Sequence, residues 1–247
     1  MSRLILTRER LKQGGAAANT RPRERAFETA WHAGDGRLAE DRTGDRSAYH
    51  HGDLRQALID AGERELTEKG VEGFTLRGCA KRAGVSHAAP AHHFGDANGL
   101  LTALAALGFQ RFLSCQKARQ AEAASDPRSQ LMAAGLGYVD FALAYPALFR
   151  LMFASSRADF SVAALSEAAD AAFDYLVRGV EAIRGRDPYR DPVSMLDVMG
   201  TWGTVHGLAD LMLSGRMKPL LAMPKAAREA ALSEIIGRAL PERADDR

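Results

Sequence analysis

The chain has 247 residues, 46% of them hydrophobic and 26% charged, with a formal net charge of +2; this balance excludes general disorder, and no apolar run reaches the roughly 20 residues of a bilayer-spanning helix. Met1 to Arg10 carries only Leu4, Ile5 and Leu6 between charges, shorter than the apolar region of a secretory signal, so a cytoplasmic protein with no membrane partner is expected. Cys79 and Cys115 are too few for a disulfide framework or a zinc cluster, and with so small a net charge any affinity for nucleic acid must come from a local surface.

Residues 1–48 alternate Arg with Gly, Ala and acids, contain Gly14-Gly15 and Gly34-Asp35-Gly36, and show no sustained period, which predicts a disordered basic arm. From Asp53 onward helical signals dominate and no stretch alternates with period two, so the fold class is all-α. A first helix is predicted from about Asp53 to Lys69, with capping-box spacing between Asp53 and Gln56 and a stripe of Leu54, Ala57, Leu58, Ala61 and Leu66. A second runs from an N-cap at Thr75 to about Ala83, and a third from an N-cap at Ser86 to Phe94. Gly95-Asp96 closes the third and opens a fourth, whose stripe is Leu100, Leu101, Leu104, Leu107 and Phe112. A polar connector spans Ala118 to Asp126. Further helices are predicted at Pro127 to Tyr145, Ala147 to Ala154, Ser161 to Arg184, Pro192 to Leu213 and Pro224 to Leu240, with X-Pro steps as start signals. The predicted division is an N-terminal unit over residues 49–112 and a helical bundle over residues 113–247.

Thr75 to Phe94 pairs two short helices across the turn Gly84-Val85-Ser86, the spacing of a helix-turn-helix whose second helix enters a major groove. Leu76, Cys79, Ala80, Val85 and Phe94 are spaced to pack inward, which leaves Arg77, Lys81, Arg82, His87, Ala88, Ala91 and His92 facing out. That face is basic and small, and small residues allow close approach to base edges. On spacing alone, a plain helical hairpin fits equally well.

The residues decide between these readings by resemblance. Tyr49-His50-His51-Gly52-Asp53, Phe74-Thr75-Leu76-Arg77, Ala83-Gly84-Val85-Ser86, Ala88-Ala89-Pro90, His92-His93-Phe94 and Leu100-Leu101 together resemble the DNA-binding domain of TetR/AcrR regulators. The resemblance implies that Thr75 and Arg77 touch the phosphate backbone, that Ser86, His87, Ala88 and Ala91 meet the groove, and that His92 contacts a phosphate. Two positions depart from the family pattern: Ala91 stands where Tyr is usual, and Ala97-Asn98 where a Lys is usual. This implies weaker binding, or reliance on Arg42 and Arg46. Five of the seven histidines, His50, His51, His87, His92 and His93, lie in this unit, but with Cys79 turned to the core and His92 and His93 on different faces no metal site is expected.

Further along, Trp202-Gly203-Thr204-Val205-His206-Gly207, with Tyr138 to Phe141 and Tyr145 to Phe149, is similar to the WHG variety of TetR ligand-binding domain. Trp202 and His206 share a helix face, and Tyr138, Phe141, Met152, Phe153, Phe173 and Met199 are candidates for the rest of an apolar pocket; aromatics and Met at this spacing also fill ordinary cores. Ser214 lies about 12 Å along the helix axis from His206 with Asp210 between, too far for a nucleophile-base bond, so no catalytic residues and no cofactor are expected. The family precedent places a homodimer interface on the last two long helices, with Leu208, Leu211, Met212, Leu232, Ile235 and Ile236 as candidates. The expected function is a repressor released from a palindromic operator by a small apolar ligand. The alternative is a helical small-molecule-binding dimer whose operator binding is weak or lost.

Overall fold

A computed structural model describes residues 46–242, with side chains from Leu54 onward, and every regular element among the described residues is helical. The helices are α1 (Arg46–Lys69), α2 (Leu76–Ala83), α3 (Ala89–Phe94), α4 (Ala97–Ala121), α5 (Pro127–Ala144), α6 (Pro146–Ala154), α7 (Ala163–Arg184), α8 (Pro192–Leu213), α9 (Lys218–Ala222) and α10 (Lys225–Ala239). No single helix among the described residues is long and apolar enough to cross a membrane. The predicted arm lies outside the described residues up to position 45.

Most starts follow local chemistry. Thr75, Asp96, Asp126 and Asp191 each accept a hydrogen bond from the backbone N–H three residues on, which satisfies one orphan donor of α2, α4, α5 and α8. Gly84 ends α2 in the left-handed region, at φ 68°, where a side chain would be strained. Pro146 has no N–H to continue α5, and the chain turns by 107° into α6.

Three predicted boundaries are corrected. α1 starts at Arg46, upstream of Asp53, and the Gln56 side chain donates to Asp60 at 2.9 Å instead of closing a capping box. α3 starts at Ala89 with Ala88 as its N-cap, so Ser86 is not a side-chain cap. Pro90 is the reason: a start at Ser86 would carry the proline past the first turn, where its ring clashes with the carbonyl four residues back. α4 runs to Ala121, into the predicted connector, because Arg119 in its last turn bonds Asp140 of α5 at 2.5 Å and Glu229 of α10 at 2.6 Å. The short α9 was not predicted.

One apolar core runs through the molecule, and α4 is common to both ends of it. Near its start, Leu100 and Leu104 are fully buried against α1 at Gly62, where an added Cβ would lie 3.3 Å from either side chain. Further on, Gly108 leaves a notch for Met152 of α6, and Gly137 of α5 brings the α5 backbone against Cys115 and Gln116. α4 thus packs on α5, α6 and α7, and α8 closes the bundle against α5, α7 and α10.

Candidate functional site

The α2–α3 unit presents its predicted face. Thr75, Arg77, Lys81, Ser86, His87, Ala88, Ala91 and His92 are all exposed, while Cys79, Ala80 and Pro90 are buried beneath them and Leu76 and Phe94 pack against the core. Burial pushes the Cys79 thiol up to about 11, so it stays protonated. Arg42 lies outside the described residues, and Arg46 opens α1.

Arg82 is a correction, because it does not face out. Its Nε donates to Glu65 at 2.6 Å and its terminal nitrogens donate to Glu68 at 2.8 and 2.6 Å, which clamps α2 onto α1. Glu65 is buried, and its carboxylate occupies the space beside Gly78, where a Cβ would fall 2.0 Å from Oε1. Arg82 also holds the Glu68 carboxyl below its ordinary range. Glu65 shares the buried face of α1 with Leu58 and Ala61, and a buried carboxylate needs a cation partner, but which cation supplies it is set by how α1 and α2 pack.

A cavity of about 340 Å³ lies among α4, α5, α6, α7 and α8, at the small end of the roughly 300–1,000 Å³ typical of ligand pockets. Of the eight residues predicted for it, Tyr138, Phe153, Phe173 and Trp202 line it. The other four do not. Phe141 is fully buried behind Phe112, with ring centroids 5.5 Å apart. Met152 fills the Gly108 notch. Met199 packs half-buried on the core. His206 stands behind the wall, with its Nδ1 hydrogen-bonded to the Tyr138 hydroxyl at 2.8 Å and its ring between Phe149 and Phe153. Burial lowers the His206 pKa against a smaller upward pull from Asp210, and burial raises that of the Tyr138 phenol.

The α4 side of the wall was missed altogether. Phe109, Phe112, Gln116 and Gln120 form one stripe at helical spacing, apolar at its start and amide-bearing at its end. Gln130, Tyr175, Arg178 and Thr201 add further polar groups, so the cavity is less apolar than expected. A stripe that changes from aromatic to amide within a long helix is readable in the sequence. That it faces α7 and α8 is not.

The candidate dimer residues divide. Leu208, Met212, Leu232 and Ile236 are buried within their own subunit, where their side chains are part of its core. Leu211 is exposed and Ile235 half-buried. The outward stripe of α8 is Val193, Leu196, Gly200, Gly203, Gly207 and Leu211, with Leu196 70% exposed and open space around each of the three glycines.

Residues 58–104 match the family of bacterial regulatory proteins designated tetR, and residues 131–235 match the tetracyclin repressor-like C-terminal domain. The HTH-type transcriptional regulator BetI of Burkholderia cenocepacia (strain HI2424) is 40% identical over 79 residues, 32% of this chain; the match spans 41% of that regulator's length. A solved protein with unknown function from Rhodococcus sp. RHA1 is 35% identical with a TM-score of 0.63, over 79% of this chain and 99% of the other. A tetR family transcription regulator from Shewanella sp. PV-4 shares the fold at 17% identity, with a TM-score of 0.58 over 75% of this chain and 97% of its own.

Proposed function

The chain belongs to the TetR family of transcriptional regulators, and from that premise we propose that it is a cytoplasmic homodimeric repressor, released from a palindromic operator by a small molecule bound in the cavity. The observation that carries this reading is the α2–α3 face: eight candidate contact residues are exposed together, on two helices, their N-caps and the turn between them, above buried inward sides. Exposed N–H groups at the α2 start, with Arg77 and Lys81, suit phosphate oxygens, while Ser86, His87 and Ala88 stand at the front of the helix that enters the groove.

A single reading head makes too few contacts for operator-grade affinity, so two copies acting on paired half-sites are required. The outward α8 stripe suits that role. Its glycines let a second α8 approach closely, and Val193, Leu196 and Leu211 supply apolar area at both ends. Leu211 and Ile235 of the original candidates remain in this reading, together with the stripe.

Release follows from the position of α4. Its first turns carry Leu100 and Leu104 beneath the DNA-reading unit, and its middle lines the cavity with Phe109, Phe112 and Gln116. A ligand that fits better when α4 is displaced favours the non-binding state, and a coupling of about 1–3 kcal/mol changes operator affinity roughly 5- to 150-fold. Selection of bound sequences from a random DNA pool tests the reading: an enriched palindrome with two half-sites is expected. A second reading, a small-molecule-binding dimer with weak or lost operator binding, draws on the missing phosphate ligands at Ala91 and Ala97 and on the engagement of Asn98 by Arg157. A pool with no enriched sequence would favour it.

A further inference from the structure

Among the glutamines of the cavity, one has its amide unused. The Gln120 Nε2 donates to the Gln130 carbonyl at 3.0 Å, and its Oε1 accepts the Tyr175 hydroxyl. The Gln130 Nε2 donates to the carbonyls of Gln120 at 3.0 Å and Ala124 at 2.9 Å. These three side chains close one end of the cavity on themselves. Gln116 lines the same cavity, is only 6% exposed, and has no hydrogen-bond partner among the described residues. Among those residues, no side-chain N or O sealed from all free space lacks a partner, so the Gln116 amide opens onto the cavity. At this residue α4 is pressed against α5, with the Gln116 Cα 2.6 Å from where a Cβ on Gly137 would be, so the backbone that carries the amide is held in place.

A buried amide left unpaired is costly, and a ligand that satisfies both its carbonyl and its N–H₂ removes that cost. The complement is a group with a donor and an acceptor on neighbouring atoms. It must also be neutral, because among the described residues the only cation lining the cavity, Arg178, is exposed at the rim, and a full charge beside Gln116 would be uncompensated. One turn back along α4, Phe112 and then Phe109 offer ring faces and edges for an apolar body. From this arrangement we infer that the cavity selects neutral amphipathic molecules with a carboxamide or lactam head paired to Gln116 and a ring body against Phe109, Phe112 and Phe153. The inference rests on the reading of this cavity as the effector site.

Three probes of one shape separate the two claims by calorimetric titration of the full chain: 2-methylnaphthalene, 2-naphthamide and 2-naphthoate. Binding of the hydrocarbon tests the cavity, and the added affinity of the amide tests the head. The amide should bind roughly tenfold or more tighter than the hydrocarbon. Gln116→Met, of similar length without polar atoms, should abolish that advantage and leave hydrocarbon binding within about threefold. If Gln116→Met does not melt cooperatively, Gln116→Leu serves instead, and its loss of both polar atoms should abolish the same advantage. Hydrocarbon binding with no gain for the amide, or a gain that survives in the variant, overturns the inference and leaves the cavity reading intact. Naphthoate binding tightest, and losing its lead in Arg178→Ala, overturns it in favour of an anionic head at the rim. Failure of all three probes overturns both.

Discussion

The guanidinium of Arg157, in the segment between α6 and α7, donates from Nε to the Asn98 side chain at 3.0 Å and from a terminal nitrogen to the Val71 carbonyl. Two residues on, the Asp159 N–H donates to Thr102 Oγ1 at 3.0 Å. These bonds tie the end of α6, which lines the cavity through Phe153, to the α1–α2 turn and to the start of α4. They supply a second connection between cavity and reading head beside α4 itself. Arg157→Ala should therefore leave operator and ligand affinities near those of the parent protein but reduce the ligand-induced loss of operator binding several-fold. Operator titrations with and without ligand measure this, and an unchanged ratio would remove Arg157 from the coupling.

Gly137→Ala should destabilise the fold by about 1–3 kcal/mol, because its Cβ would sit 2.6 Å from the Cys115 carbonyl oxygen and from the Gln116 Cα, both backbone atoms that only a shift of α4 against α5 can move. Urea unfolding gives the value. A neutral result would mean that the two helices cross less tightly than described.

Stability should fall as the pH drops through and below the ordinary imidazole value, because of His206. Burial against Tyr138, Phe149, Phe153 and Trp202 holds its folded pKa below the ordinary 6.5, with Asp210 pulling the other way. The unfolded chain therefore takes up the proton first as pH falls. The stabilisation is complete above the ordinary value and is lost as pH drops through 6.5 toward the folded value. Glu68, Asp126 and Asp191, with carboxyl pKa values held below 4.5 and 3.8, act only at lower pH. Melting temperatures across this range should flatten in His206→Gln, and an equal slope in the variant would rule out His206 as the cause.

Leu196→Asp or Gly203→Arg should convert a dimer to a monomer in light scattering after size exclusion, with operator affinity reduced roughly 100-fold or more, since one half-site must then act alone. Leu208→Ala provides the contrast: a buried core residue, it should lower stability by about 2–5 kcal/mol without a specific effect on subunit exchange.

Arg77→Ala and Lys81→Ala should weaken binding to all DNA sequences alike and reduce the salt slope of log affinity by about one each, as phosphate contacts do. His87→Ala should instead relax preference at a single base position, by about 1–3 kcal/mol. Equal effects on slope and specificity from all three would assign them one common role.

Features controlled by neighbours along the chain are legible without the fold. A cap at Thr75, Asp96, Asp126 or Asp191 acts on backbone three residues away, a proline acts on the turn it occupies, and the outward face of α2 and α3 follows from helical spacing over twenty residues. Tertiary structure alone decided which remote helices meet. Arg82 has outward spacing on its own helix, yet Glu65 and Glu68 of α1 draw it back. Phe141, Met152 and His206 have the same aromatic or apolar character as the true cavity wall but lie behind it, because glycines at 108 and 137 set how closely the helices cross. The same α4–α5 crossing holds Gln116 beside the cavity, and the packing of α8 and α10 on α5 and on each other buries Leu208, Met212, Leu232 and Ile236 while leaving a row of glycines on the surface. A periodic stripe tells which residues share a face. The partner across that face is set by close packing between segments far apart in the chain, where a single methyl group decides the spacing.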